Sequence, residues 1–198
     1  MRVIAGRLGG RRLRAPAGRV TRPTSDRVRE AVFAMLEDVA GMRVLDLFAG
    51  TGALGIEALS RGAGAAVFVE RDAAAVKVLG ANLAALGIAS EQVEVRRADA
   101  LEALRGAASR QETYDLVFID PPYGRARPAS SASEDPSAAR WGTELSAILP
   151  ALLSPGARVV VESDRRAPLE LSPTGAGELA LERDRRYGDT SITIHRHP

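Results

Sequence analysis

The stretch that decides the fold of this chain is Arg43-Val44-Leu45-Asp46-Leu47-Phe48-Ala49-Gly50-Thr51-Gly52. It reads as a short apolar strand that ends in an acid and then turns through two glycines. A run of apolar residues at helical spacing follows over 54–59 and stops at Gly62. A strand, a glycine-rich turn and a helix in this order are typical of an open α/β sheet, in which ligands bind beyond the carboxyl ends of the strands.

The strand–helix alternation continues through most of the chain. Further strands are predicted at 65–69, 93–96, 114–119 and 157–161, with helices at 72–86, from 99 through 104 and at 141–153. Because these strands are continuously apolar, they predict a parallel sheet with helices on both faces. Residues 178–183 and 191–195 predict a final antiparallel hairpin, whereas 125–140 lack periodicity and predict a mobile loop.

The N-terminal part of the chain does not follow this alternation. Residues 2–7 and 11–15 flank Gly9-Gly10 and predict a short β-hairpin. A helix is predicted next, capped by Thr24, Ser25 or Asp26 and closed at Gly41. We therefore expect an N-terminal extension over residues 1–41 and an α/β domain over residues 42–198.

The charges are distributed unevenly along the chain. The 198 residues carry 27 Lys+Arg and 25 Asp+Glu, a net charge of +2. Residues 1–30 hold nine arginines and only two acids, Asp26 and Glu30, so this part carries +7 and the rest −5. A basic arm on a mildly acidic body is typical of proteins that bind a phosphate backbone, and an ordinary solvated surface is the alternative. Asp26 and Glu30 are expected to cap and pair within the first helix.

Several classes of protein are excluded by residues that the chain lacks. It has no cysteine, which excludes disulfide scaffolds, zinc ribbons and cysteine nucleophiles. Its two histidines, His195 and His197, lie in the last four residues and are expected to be structural or solvent-exposed, so no metal site is predicted. The sequence has no long apolar segment and no leader pattern, from which we expect a soluble, cytoplasmic protein.

Four predicted strand ends carry an acid: Asp46, Glu70, Asp99 and Asp120. The loop after Asp46 satisfies G-x-G-x-x-G, and Glu70 stands at the distance expected for a ribose-binding acid, which is also compatible with a dinucleotide enzyme. A carboxylate directly before the loop would repel a pyrophosphate, however, and suits a ligand with an ammonium group. S-adenosylmethionine has no phosphate and carries both an ammonium and a sulfonium.

The sequence Asp120-Pro121-Pro122-Tyr123 follows the fourth strand. A carboxylate and a rigid carbonyl at this place can accept hydrogen bonds from an amino group and aim its lone pair at a methyl donor. Tyr123 offers a ring on which an extruded base can stack. A structural proline turn is the alternative.

Together, Asp46-Leu47-Phe48-Ala49-Gly50-Thr51-Gly52, Glu70, Asp99 and Asp120-Pro121-Pro122-Tyr123 resemble the class I S-adenosylmethionine-dependent methyltransferases that methylate amino groups. The N-terminal segments Arg2–Gly6, Gly10–Leu13 and Arg22–Glu30 resemble, more narrowly, the bacterial small-subunit ribosomal RNA guanine-N2 methyltransferase family, as does Tyr187-Gly188-Asp189-Thr190. The resemblance implies a Rossmann-like seven-stranded sheet, parallel with one antiparallel strand. It also implies transfer of methyl from S-adenosylmethionine to N2 of a guanine in 16S rRNA, within a small ribosomal subunit or its assembly intermediate, by a monomer.

The resemblance also implies a role for each matching residue. The cofactor would be bound by Asp46, Phe48, Ala49, Gly50, Thr51, Gly52, Glu70, Asp99, Ala100 and Asp120. The target guanine would be held by Asp120, Pro121, Pro122 and Tyr123. The RNA phosphates would be contacted by Arg11, Arg12, Arg22, Arg27 and Arg29. Trp141 is expected to anchor the core or a loop.

Other functions remain open on the residues alone. Asp120-Pro121-Pro122-Tyr123 does not separate guanine-N2 from adenine-N6 of RNA or DNA, or from a glutamine side chain. A nicotinamide-dependent oxidoreductase and a non-catalytic RNA-binding module are further alternatives. Methylation of cytosine C5 is excluded, because that route needs a cysteine nucleophile.

Overall fold

The structure, a computed structural model, describes residues 1–15, 25–121, 136–171 and 179–198, with only the backbone described for 136–140. The described residues form a seven-stranded sheet in the order β3-β2-β1-β4-β5-β7-β6. The strands are β1 Arg43–Asp46, β2 Ala65–Val69, β3 Val93–Arg96, β4 Tyr114–Ile119, β5 Leu153–Asp164, β6 Ala180–Tyr187 and β7 Thr190–Arg196. The first five strands pair in parallel, and β7 runs antiparallel to both β5 and β6. The predicted fold class is thereby confirmed.

Five α-helices connect and flank these strands within the described ranges. They are α1 Asp26–Leu36, α2 Ala53–Ser60, α3 Ala73–Leu86, α4 Ala100–Ser109 and α5 Pro136–Ile148. The helix starts follow the capping residues of the sequence: Ser25, Asp72 and Asp99 each accept a hydrogen bond from a backbone N–H in the first turn of α1, α3 and α4. None of the helices in the described part of the chain is long and apolar enough to cross a membrane.

Each face of the sheet packs against its own set of helices. On one face, the buried side chains come from α1, α2, α3 and the N-terminal residues Val3, Leu8 and Leu13. On the other face they come from α4 and α5. Successive β4 residues Val117 and Phe118 point to opposite faces and are both fully buried, which explains why the strands lack a polar alternation.

Several element bounds differ from the prediction. The N-terminal hairpin consists of one antiparallel bridge between Arg2 and Arg12, with a 3-10 turn over Gly6–Leu8 in place of longer strands. Helix α1 ends at Leu36, because Glu37 takes a positive φ of 61°, so the chain leaves the helix before Gly41.

The region around α5 also differs. Residues 136–140, predicted as part of a loop, belong to α5. The helix begins with Pro136, and its first turn tolerates a residue without a backbone N–H. The rest of the predicted loop, residues 125–135, lies outside the described ranges. The helix ends at Ile148 and a 3-10 turn over Leu149–Leu152 follows, so the predicted helix to Leu153 is too long and β5 starts earlier than predicted.

A cluster of charges lies beside the amino end of β4. Glu112, whose side chain is 11% exposed, accepts hydrogen bonds from Arg96 at 2.9 Å, from Arg110 at 2.6 Å and from the Tyr114 hydroxyl. Desolvation alone would raise the pKa of Glu112, but the hydrogen bonds from Tyr114, Arg110 and Arg96 outweigh it and lower the pKa to about 2. The cluster therefore keeps Glu112 ionised and ties the ends of β3 and β4 together.

Strand β6 forms one edge of the sheet. Its residues 180–186 are all exposed, and Leu181 keeps 58% of its surface accessible. The side chains between Glu182 and Arg186 are all charged. This edge therefore differs from the central strands, which are apolar on both faces.

Candidate active site

The candidate site lies where the carboxyl ends of β1, β2 and β4 meet. Strand β1 pairs with β2 on one side and with β4 on the other, and Asp46 is in register with Phe68 and Phe118. The glycine-rich loop continues from this point, held by hydrogen bonds from Leu47 N to Phe118 O (3.0 Å) and from Ala49 N to Val69 O (3.0 Å). The backbone of the loop is thus fixed by both neighbouring strands.

Asp46 lies beneath this loop. Its side chain accepts a hydrogen bond from Gly55 N at 2.9 Å, and the residue is only 3% exposed. Burial raises the pKa of Asp46 to about 7, the hydrogen bond from Gly55 opposes this rise, and the nearby Glu70 adds to it. A buried carboxylate that is only half ionised at neutral pH favours a cation brought near it.

Glu70 connects the end of β2 to the same loop. Its Oε2 accepts from Gly50 N at 2.9 Å, and its Oε1 accepts from Asp72 N at 2.7 Å. Each carboxylate oxygen has a second lone pair, so Glu70 can still accept hydrogen bonds from hydroxyl groups of a ligand.

The loop needs its glycines for two reasons. Gly50 and Gly52 have positive φ angles of 54° and 85°, which residues with a side chain rarely adopt. A Cβ at Gly52 would also lie 2.3 Å from the Leu79 Cδ1 of α3. The loop therefore packs directly against α3, with Thr51 between the two glycines.

The remaining predicted cofactor residues surround the same edge. Asp99 follows β3 and caps α4 by accepting from Leu101 N at 3.0 Å, and Ala100 is buried in the first turn. Phe48 is half-buried, and its ring makes an edge contact with that of Trp141 at 5.2 Å, so Trp141 anchors the loop as predicted. Asp120 and Pro121 follow β4 directly, whereas Pro122 and Tyr123 lie outside the described residues.

The predicted RNA-binding arginines do not share one environment. Arg12 and Arg27 are exposed, and Arg11 is exposed with a hydrogen bond to Ala85 O at 3.0 Å. Arg22 lies outside the described residues.

The prediction that Arg29 contacts RNA is wrong, because its side chain is fully buried. It donates hydrogen bonds to Arg2 O at 2.5 Å and to Asp26 at 2.9 Å, so it fastens the N-terminal segment to α1. The expectation that Asp26 pairs within the first helix is met by this contact.

The two histidines are structural. His195 is buried in β7, and burial lowers its pKa; its Nε2 lies 3.1 Å from the Thr193 hydroxyl. His197 is half-buried, with Nδ1 3.3 Å from Ser154 O.

Sequence reasoning missed three polar residues that hold the N-terminal segment. Glu57 of α2 is 1% exposed and accepts from Ile4 N at 2.6 Å and Ala5 N at 3.0 Å. Ser60 accepts from Leu8 N at 2.9 Å, and Asn82 of α3 bonds to the backbone of Arg14. A polar residue on an otherwise apolar helix face indicates that its side chain has a buried hydrogen-bond partner, but the sequence does not show which residue that partner is.

A parallel sheet with this strand order, an antiparallel β7 and a glycine-rich loop at its switch point defines the class I methyltransferase fold. The model of the family described as Conserved hypothetical protein 95 matches residues 1–196, and the chain belongs to that family. Together with two curated relatives, this match confirms the family resemblance predicted from the sequence.

The chain is similar to these two curated relatives and to one solved structure. A relative from Bacillus subtilis (strain 168), named "Putative rRNA methyltransferase YlbH", is 38% identical over 99% of this chain and 98% of its own length. Ribosomal RNA small subunit methyltransferase D of Escherichia coli (strain K12) is 41% identical over 63% of this chain and 61% of its own length. The structure of the T. thermophilus 16S rRNA N2 G1207 methyltransferase, in complex with AdoMet and guanosine, is similar with a TM-score of 0.66 and 26% identity, covering 92% of this chain and 44% of that chain.

Proposed function

We propose that this protein transfers a methyl group from S-adenosylmethionine to the exocyclic N2 of a guanine in 16S rRNA. The observation that carries the proposal is the position of Asp120 and Pro121 at the end of β4, the strand that pairs with β1 where the glycine-rich loop begins. An amino-binding pair and a candidate cofactor loop thus occupy neighbouring strand ends. The similar T. thermophilus enzyme, a 16S rRNA N2 methyltransferase whose complex holds AdoMet and guanosine, supports the same cofactor and target atom.

The residues at the loop fit S-adenosylmethionine by their chemistry. Asp46 provides buried negative charge for an ammonium group, and Glu70 retains lone pairs for ribose hydroxyls. Phe48, Ala49, Gly50, Thr51 and Gly52 supply the backbone around the cofactor, and Asp99 with Ala100 supplies polar groups for an adenine. The bound cofactor supplies an electrophilic methyl group on a sulfonium.

The residues after β4 act on the target nitrogen. The Asp120 carboxylate and the Pro121 carbonyl accept hydrogen bonds from the guanine amino group, which directs the nitrogen lone pair at the methyl group. Pro122 and Tyr123 complete this motif in the sequence, with Tyr123 available to stack on the base. Asp120 or water would accept the proton that the amino nitrogen loses when it takes the methyl group, while the S–C bond breaks and the sulfonium leaves as a neutral thioether, so no histidine or cysteine is required.

The N-terminal extension over residues 1–41 serves as the RNA-binding part, and residues 42–198 serve as the catalytic domain. Arg11, Arg12 and Arg27 are exposed and Arg22 belongs to the same segment, so these four arginines are the proposed phosphate contacts. The substrate is the small ribosomal subunit or its assembly intermediate, on which the protein acts as a monomer in the cytoplasm.

The test is to map methyl incorporation on small subunits from cells that lack this protein. Added protein and S-adenosylmethionine should methylate a single guanine at N2, and the Asp120→Ala variant should lose transfer while its cofactor affinity changes by only a few fold. Methylation at adenine N6 or on protein would refute the substrate assignment. Full turnover by Asp120→Ala would refute the mechanism.

A further inference from the structure

Asn82 is a buried amide between the N-terminal segment and the glycine-rich loop. The residue lies on α3 and is 2% exposed. Its Oδ1 accepts from Arg14 N at 2.8 Å, and its Nδ2 donates to Arg14 O at 3.2 Å and to Thr51 O at 3.0 Å. Both N–H groups of the amide and its carbonyl are therefore engaged, and the partners belong to two different parts of the molecule.

On one side, Asn82 holds the proposed RNA-binding extension. Arg14 is bound through both of its backbone groups, in the manner of a strand pairing, and its own side chain is exposed. It stands two residues after Arg12, one of the proposed phosphate contacts. A shift of this segment when arginines engage RNA would therefore move the partner of Asn82.

On the other side, Asn82 holds the loop of the proposed cofactor site. Thr51 lies between Gly50 and Gly52, whose conformations shape the loop. Leu79, one turn earlier on the same face of α3, packs against Gly52. The position of the loop is thus coupled to α3 by one apolar and one polar contact.

The N-terminal segment is also anchored on α2, the helix that begins directly after Gly52. Glu57 and Ser60 accept hydrogen bonds from three backbone N–H groups of this segment. Helices α2 and α3, which both contact the loop, therefore also bind the extension, but the amide of Asn82 joins extension and loop through a single side chain.

We propose that Asn82 is a positioning residue that couples RNA binding by the N-terminal extension to cofactor binding by the glycine-rich loop. The inference rests on the proposed function, because it takes RNA and S-adenosylmethionine as the two ligands. When RNA fixes the extension, Arg14 holds the amide in place, and the amide holds the Thr51 carbonyl in the conformation that receives the cofactor. Coupling of this kind is reciprocal, so cofactor must also strengthen RNA binding.

The experiment measures a ratio of affinities. Calorimetry gives the Kd of S-adenosylhomocysteine, which cannot react, for the full chain with and without saturating small subunits from cells lacking this protein. We expect the wild type to bind S-adenosylhomocysteine at least about five-fold more tightly with subunits present, the lower end of typical allosteric coupling. In Asn82→Ala the ratio should fall to within about two-fold of one, because the two ligands no longer share a contact. General loosening of the fold would weaken both affinities and leave their ratio unchanged.

Two further variants keep the test decisive. Arg14→Pro removes the backbone donor to Asn82 from the other side of the bridge, and it should abolish the coupling even if Asn82→Ala does not fold. Ile88→Ala opens a cavity just beyond the end of α3 and removes none of the three hydrogen bonds of Asn82, so it should keep the wild-type ratio.

A ratio near one for the wild type, or an unchanged ratio in Asn82→Ala and Arg14→Pro, overturns the inference, as does loss of coupling in Ile88→Ala. Failure of the wild type to methylate the subunits would instead count against the proposed function.

Discussion

The buried carboxylate of Asp46 makes a prediction that can be worked out from the structure. Its pKa of about 7 means that about 3% of these groups are ionised at pH 5.5 and about half at pH 7. The α-amino group of the cofactor stays protonated over this range, because such groups titrate near 8. If the ammonium needs the ionised form of Asp46, the affinity for S-adenosylmethionine should rise about 16-fold between pH 5.5 and pH 7.

The same pKa has a consequence for stability. Because the folded-state pKa lies above the unfolded value, protonated Asp46 is favoured by folding, and this contribution is lost as the pH rises from about 4 through about 7. The corresponding free energy is about 4 kcal/mol at most. Asp46→Asn keeps a side-chain oxygen for Gly55 N but does not ionise, so it should be more stable than the wild type at pH 8 and should bind cofactor weakly at every pH.

Calorimetry in buffers of different ionisation enthalpy provides the assay. Binding to the wild type at pH 7 should release about half a proton, and binding to Asp46→Asn should release none from this site. An affinity that is flat between pH 5.5 and pH 7, with no difference in proton release between the two proteins, would refute this role of Asp46. The carboxylate would then serve only to hold the loop through Gly55.

Three further outcomes follow from the described contacts. Gly52→Ala should lower the free energy of unfolding by about 2–4 kcal/mol in a urea titration, because the new Cβ would require a left-handed backbone and would overlap the Leu79 side chain. Gly87→Ala, also at positive φ but facing open space, is the control and should cost only about 1–2 kcal/mol. Glu112→Gln should cost about 1–3 kcal/mol at pH 7, and most of this difference should be lost as the pH falls from about 4 to about 2, where about half of the wild-type carboxylates are protonated; a pH-independent loss would contradict the charge-based reason. Replacing Arg11 and Arg12 by alanine should flatten the plot of log RNA affinity against log salt by about two, and an unchanged slope would make this surface irrelevant to RNA.

The sequence was sufficient for the sheet and for the location of the candidate site. Strands such as β4 are apolar throughout because both faces are covered, and this pattern is local and unambiguous. Asp46 and Glu70 could be assigned to one edge because parallel strands place their carboxyl ends together. The ends of elements were less predictable, as at Glu37, where a positive φ ends α1 without a glycine.

Long-range side-chain partners could not be predicted. The family resemblance grouped Arg29 with the other proposed RNA-binding arginines, but its side chain on α1 is buried and donates to the carbonyl of Arg2. Asn82 has partners 68 and 31 residues away, and no local pattern specifies such distances. These contacts depend on how the N-terminal segment packs on α2 and α3, which is a property of the tertiary structure alone.

Within the described ranges, β6 pairs only with β7, and this edge of the sheet affects how copies of the protein behave at high concentration. An unpaired strand offers N–H and C=O groups to any other extended segment, and such edges can start aggregation. In β6 the charged side chains of Glu182, Arg183, Asp184, Arg185 and Arg186 would have to lose their water for a second copy to pair there. The charge on this strand thus protects this edge against pairing with another copy, which an apolar edge like the central strands would invite.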